Sequence, residues 1–312
     1  MTDFAFVFPG QGSQTVGMLD AWGDNAAVRQ TLLEASEALD EDMARLIREG
    51  PKEQLDLTSN TQPVMLTAGM ACYRAWLAQT GRIPSLVAGH SLGEYTALVA
   101  AGALSLTEAL PLVRFRAQAM QDAVPVGVGA MAAILGLEAD EVRAGCAEAA
   151  ASTGEAVAVA NFNDPKQTVI AGTQAGVGKA CEVLKAKGAK RTLSLAVSAP
   201  FHSSLMKPAA ERLKDRLATT NFATPQIPVL NNIDVAVQTE AAAIRDALYR
   251  QAFGPVRWVE VVLAIRARGL THIIECGPGK TLAGMVKRID PQAVSGNVLD
   301  PATLSGMQAL LS

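Results

Sequence analysis

Short apolar runs alternate with longer stretches of helical period along nearly the whole chain. Phe4–Phe8 is an unbroken apolar run closed by Pro9-Gly10, which predicts a strand covered on both faces. Apolar positions three and four apart predict helices over Val28–Arg48, Pro63–Thr80 and Leu106–Ala123, with a second buried strand at Leu86-Val87-Ala88. At Val126-Gly127-Val128-Gly129 the period breaks. From there the pattern predicts strand Ala130–Leu135, helix Ala139–Ala151, strands Ala156–Asn161 and Thr168–Ala171, helix Ala175–Lys187 and strand Arg191–Leu195. That βαββαβ order is the ferredoxin-like unit. Beyond Pro200 the first texture returns. It predicts helix Met206–Thr219, strand Pro228–Leu230, helices Ile244–Ala252 and Val259–Arg268, strand Thr271–Ile274 and a short helix from Pro301. The reading is an α/β protein in which residues 127–198 form a small unit inserted between 1–126 and 199–312.

Composition narrows the class without choosing a function. The 312 residues can bury a large core, aromatics are 4% and charged residues 18%. Net charge is 27 − 30 = −3, so no basic field argues for nucleic acid or an anionic membrane surface. No apolar stretch is long enough to span a bilayer, and Met1-Thr2-Asp3-Phe4 does not open a secretory signal. The four cysteines, Cys72, Cys146, Cys181 and Cys276, are scattered and form no CxxC pair, which predicts reduced thiols in a cytoplasmic protein. The three histidines are scattered too, so no metal site is expected. A monomer is the default expectation.

The chemistry concentrates at Gly89-His90-Ser91-Leu92-Gly93. It lies between the strand at Leu86 and the helix-prone Glu94–Ala101, which is the strand–turn–helix setting of a nucleophile elbow. So sharp a turn exposes the Ser91 hydroxyl and leaves the Leu92 N–H free at a helix N-terminus. The plainer alternative is a tight turn whose serine merely caps the helix. An activated serine needs a base. His90 precedes Ser91 and should point away from it. His272 lies in an apolar strand, where a packed histidine is the ordinary case. His202 stands in the loop Ser198–Ser204, on the seam between the inserted unit and the returning domain, and is the preferred base.

Two further segments converge on that site. Phe8-Pro9-Gly10-Gln11-Gly12-Ser13-Gln14 fails the dinucleotide fingerprint because Thr15 occupies the third glycine position, so the Gln11 N–H becomes a candidate second oxyanion donor beside Leu92. Glu275–Thr281 imitates the end of a phosphate-binding loop but has Ile274 in place of its first glycine. Arg116 and Met120 are four apart and share a helix face, where a buried guanidinium would suit a substrate carboxylate; a solvated surface arginine is the plain alternative.

These segments, together with Val159–Asn163, Asn231-Asn232 and Gln251, resemble the bacterial malonyl-CoA:acyl-carrier-protein transacylase family over nearly the whole chain. The resemblance implies a hydrolase-like core with a mostly parallel central sheet and an inserted ferredoxin-like subdomain. It implies that Ser91 attacks malonyl-CoA with His202 as base and that Gln11 and Leu92 form the oxyanion hole. Arg116 would hold the malonyl carboxylate, with Met120, Phe201 and Asn161 lining the substrate pocket. The histidine would be oriented near Gln251 by an amide or main-chain carbonyl, not by an acid. The second substrate would be the phosphopantetheine thiol of holo acyl carrier protein, with no resident cofactor. Phe201 departs from many free-standing relatives and predicts a pocket narrowed against α-branched malonates. Lys185, Lys187, Lys190, Arg191, Lys280, Lys287 and Arg288 are candidate contacts for an acidic carrier; a solvated charged face is the alternative for each. Fatty-acid elongation and a trans-acting role in polyketide assembly both remain open. So do an esterase or thioesterase using His272 and a non-catalytic binding module.

Overall fold

The first strand, β1 (Phe4–Phe8), explains the core around it. All five residues are buried, and their side chains alternate between two apolar clusters. Phe4, Phe6 and Phe8 pack with Tyr73 and Trp76 of the helix Thr58–Thr80, Phe6 meeting Trp76 edge-on at 5.3 Å between ring centroids. Ala5 and Val7 face the opposite way, into a layer built on Val261, Val262 and Ile265 of the helix Trp258–Ala267. A strand apolar on both faces must be covered on both, and parallel sheets supply that cover through their crossover helices.

The computed structural model describes residues 2–125 and 127–312. Its remaining strands, in chain order, are β2 (Leu86–Gly89), β3 (Gly129–Leu135), β4 (Val157–Asp164), β5 (Gln167–Thr173), β6 (Arg191–Ser194), β7 (Val229–Leu230), β8 (His272–Cys276) and β9 (Val294–Val298). Five of them form one sheet of order β7-β2-β1-β8-β9 in which every pairing is parallel. The other four form an antiparallel sheet of order β4-β5-β3-β6, the arrangement of a ferredoxin-like unit. Helices Ala139–Thr153 and Gln174–Ala186 cover one face of it through Val142, Cys146, Ala180 and Leu184. The other face presents Met131, Ala133, Val169 and Ala171 to Val197 and Phe201. The small sheet is joined by backbone to the segment before the helix Trp258–Ala267: Val256 N donates to Ala160 O and Phe162 N donates to Val256 O, both at 2.9 Å.

Several element boundaries differ from those expected. The single helix Val28–Arg48 is two, Ala26–Leu39 and Met43–Glu49. Asp40 takes a left-handed conformation between them, and Asp42 caps the second by accepting from Arg45 N at 2.9 Å. The helix expected from Pro63 begins at Thr58. Pro63, the sixth residue of that helix, forfeits the one hydrogen bond its N–H would have given to Ser59 O. The helix Thr281–Ile289 and strand β9 were not expected at all. The break at Val126 falls on a residue outside those described; Gly127 and Val128 form a turn and β3 begins at Gly129.

Candidate active site

The elbow is dictated by crowding. A Cβ on Gly89 would lie 1.9 Å from the carbonyl of Gly93, and a Cβ on Gly93 would lie 2.1 Å from Phe8 O. Only glycine fits at either place, and the turn between them forces Ser91 to φ 53°. Asn232 holds this strained corner from behind. Its Oδ1 accepts from Ser91 N at 2.7 Å and its Nδ2 donates to Gly89 O at 2.7 Å.

His202 comes to Ser91 from the far side, across 111 residues of sequence. Its Nε2 lies 2.7 Å from Ser91 Oγ. Its Nδ1 lies 2.9 Å from Gln251 O and 3.1 Å from Gly254 O. Both partners are carbonyls and can only accept, so the proton belongs on Nδ1 and Nε2 offers its lone pair to the serine. His202 itself sits at φ 58°, a second strained residue in the same site. Its pKa is pushed down to about 3, first by burial and then by the Arg116 charge.

Arg116, 2% exposed, is held by neutral amides. Nη1 donates to Gln62 Oε1 at 2.8 Å, Nη2 donates to Gln251 Oε1 at 3.1 Å, and Nη2 also reaches Ser91 Oγ at 3.3 Å. The guanidinium lies over the Tyr95 ring, 5.4 Å from its centroid. Among the described residues it makes no salt bridge, and its Nε has no partner. It is therefore fixed in direction while its charge stays available.

A cavity of about 570 Å³ opens in front of Ser91, between the main sheet and the small one. Gln11, Leu92, Arg116, Met120, Asn161, Phe201 and His202 all line it. The loop after β1 lies against the elbow, where a Cβ on Gly10 would fall 2.6 Å from His90 O. The N–H groups of Gln11 and Leu92 donate to no protein group among the described residues, so both are free to serve a ligand. Gln251 takes part with both its backbone and its side chain. Its main-chain carbonyl orients His202, while its side-chain amide bridges Arg116, Ser91 O and Glu94.

The other histidines are not placed as the base, although His90 lines the same cavity. His90 points away from the serine, with Nε2 2.9 Å from Asn163 Oδ1 and its ring edge-on to Trp258. His272 begins β8 opposite Phe4, whereas the elbow follows Gly89 opposite Phe8. Four strand residues separate those levels, roughly 13 Å, so His272 cannot act as the base on Ser91. The sequence reading missed Gln62, Glu94 and Tyr95 as parts of the site. Nothing local marks Gln62, which ends the polar run Thr58–Gln62 and is 2% exposed.

The acyl transferase domain family matches residues 5–299. The chain is 50% identical to the malonyl CoA-acyl carrier protein transacylase of Salmonella typhimurium, over 98% of each chain. Among solved structures it resembles an acyl-carrier-protein S-malonyltransferase from Burkholderia pseudomallei at 64% identity and a TM-score of 0.97, over 99% of this chain and 100% of that one. It also resembles a malonyl-transacylase solved with a type II polyketide acyl-carrier protein, at 46% identity and a TM-score of 0.96, over 99% and 100%.

Proposed function

The chain belongs to the acyl transferase domain family, and from that premise we propose that it carries the malonyl group of malonyl-CoA to the phosphopantetheine thiol of acyl carrier protein, supplying fatty-acid elongation. The observation that carries the reading is the meeting, in one cavity, of a serine–histidine pair 2.7 Å apart and a buried arginine that makes no salt bridge among the described residues.

Ser91 Oγ attacks the thioester carbonyl while His202 Nε2 takes its proton. The oxyanion is received by the N–H groups of Gln11 and Leu92. Collapse breaks the C–S bond, and the imidazolium returns the proton to the departing CoA thiolate. The phosphopantetheine thiol then gives its proton to His202, attacks the malonyl ester through the same oxyanion site and leaves with the acyl group, restoring Ser91–OH. No resident cofactor is needed.

Arg116 receives the malonyl carboxylate, which has two consequences. It selects the diacid over neutral acyl groups through a charge-assisted contact. It also offsets the cation that depresses His202, so the correct substrate raises the basicity of its own base. Acetyl thioesters lack that second effect. Against an aspartate partner, the two carbonyls on Nδ1 fix the tautomer without adding charge.

Residues 1–126 and 199–312 make up the catalytic core and 127–198 the small subdomain, the latter enclosing the sheet from β3 to β6. No helix among the described residues is long and apolar enough to cross a membrane, and we place the enzyme in the cytoplasm as a monomer. Lys280 adjoins the cavity residue Thr281, is exposed and makes no salt bridge among the described residues, which makes it the leading carrier contact. Lys187 and Arg288 are already paired, with Glu148 at 3.0 Å and Asp164 at 2.6 Å.

Incubation with labelled malonyl-CoA followed by mass spectrometry should place one malonyl group on the peptide bearing Ser91. Labelling of Ser91→Ala to the same extent would overturn the reading.

A further inference from the structure

Behind the elbow, on the side away from the cavity, lies a carboxylate for which the acyl-transfer steps have no use. Glu94 is the second residue of the helix Gly93–Ala100, only 2% exposed. An acid in the first turn of a helix is favoured by the macrodipole. That alone does not account for its contacts, which run across the molecule. Its Oε2 accepts from Gln251 Nε2 at 2.9 Å and from the backbone N–H of Asn232 at 2.8 Å, over 157 and 138 residues of sequence.

Each of those partners holds one half of the reacting pair. Asn232 grips Ser91 N and Gly89 O and thereby fixes the elbow. Gln251 accepts from His202 Nδ1 with its backbone and from Arg116 Nη2 with its side chain. A single buried oxygen thus ties the nucleophile's support to the support of the base and of the arginine. We propose that Glu94 is a positioning residue whose Oε2 locks Asn232 to Gln251 and so sets the distance and direction between Ser91, His202 and Arg116. This rests on the assignment of Ser91 and His202 as the reacting pair.

What matters in this arrangement is an acceptor at one point in space. Burial raises the Glu94 carboxyl to about 7, yet protonation at Oε1 leaves Oε2 able to accept both bonds. A glutamine can present one oxygen in the same place; a leucine of similar size presents none and strands two buried N–H donors.

The test compares E94L, E94Q and Gln251→Met with the unaltered enzyme. The readouts are acylation of Ser91 by malonyl-CoA and by acetyl-CoA and phosphonylation by a small fluorophosphonate, with rates expressed per folded molecule from a thermal melt. E94L should lose about 100-fold in all three rates, as expected when reacting groups shift by about 1 Å. E94Q should stay within a few-fold of the unaltered enzyme. Gln251→Met keeps the carbonyl on His202 but cuts the side-chain link, and should slow all three reactions, which keeps the test open should E94L not fold. A folded E94L that only melts earlier, E94Q as slow as E94L, or Gln251→Met at the unaltered rate would each overturn the proposal. Failure of the unaltered enzyme to take malonyl, with fluorophosphonate labelling intact, would instead overturn the substrate assignment and leave this one standing.

Discussion

The two walls of the cavity are built on opposite plans. The wall from the larger domain carries the reacting groups and leaves each no freedom: Ser91 in the elbow and His202 in its loop both sit at positive φ, and Arg116, in the middle of the helix Leu106–Asp122, is clamped by two amides. The wall from the antiparallel sheet contributes Met131, Asn161 and Val169 and ends in β6, whose Arg191, Leu193 and Ser194 are exposed. One wall fixes chemistry and the other shapes the space.

Changes on the first wall should therefore cut the rate or the reading of the acyl carboxylate, and changes where the walls meet should alter which acyl shapes fit. The largest expected effect is His202→Ala, which should reduce acylation of Ser91 by about 1000-fold or more; His272→Ala in the same assay should leave it unchanged. Next, Arg116→Ala should erase most malonyl preference, a loss of roughly 10- to 100-fold in the ratio of malonyl to acetyl kcat/KM, in line with one charged hydrogen bond. Retained discrimination would show that the carboxylate is read elsewhere.

At the meeting of the walls, Phe201 is half-buried and packs against both the main core and the small-sheet face. Phe201→Ser should raise methylmalonyl use relative to malonyl about tenfold, the order expected of one methyl group in a pocket.

The pH profile probes the first wall by what it should lack. An exposed imidazole would protonate near 6.5 and lose about tenfold in base form between pH 7.5 and 5.5. His202 stays neutral to about 3, so acylation should fall less than twofold over that range. Stability moves the other way: the unfolded chain takes up a proton near 6.5 that the folded site refuses, so this histidine destabilises the fold as pH drops below that value. Smallest is Lys280→Glu, which should raise the carrier-protein KM a few-fold at low salt, less at high salt, with malonyl-CoA unaffected.

The legible parts of the sequence were those whose cause is local. Gly89-x-Ser91-x-Gly93 announces its turn because the crowding it relieves lies within five residues and one neighbouring strand. The βαββαβ order is equally visible, since hairpins and adjacent helices write their period directly into the chain. Gln62 and Glu94 carry no such mark. Gln62 closes the polar run Thr58–Gln62 and Glu94 opens a short apolar helix, and only contacts spanning 54 and 157 residues make either part of a site. Strand β9 escaped for another reason. Val294-Ser295-Gly296-Asn297-Val298 is a half-buried edge with weak strand propensity, and the parallel register with β8 supplies what its side chains do not.

The backbone clamp at Val256 has a mechanical corollary. It lies two residues past Gly254, whose carbonyl accepts from His202, and both of its peptide groups are spent on β4. Any tilt of the smaller lobe pulls on the strut that aims the imidazole. A chimera that swaps in a foreign lobe to admit bulkier acyl chains would have to reproduce the Ala160–Phe162 backbone, or turnover would fail for reasons unrelated to fit.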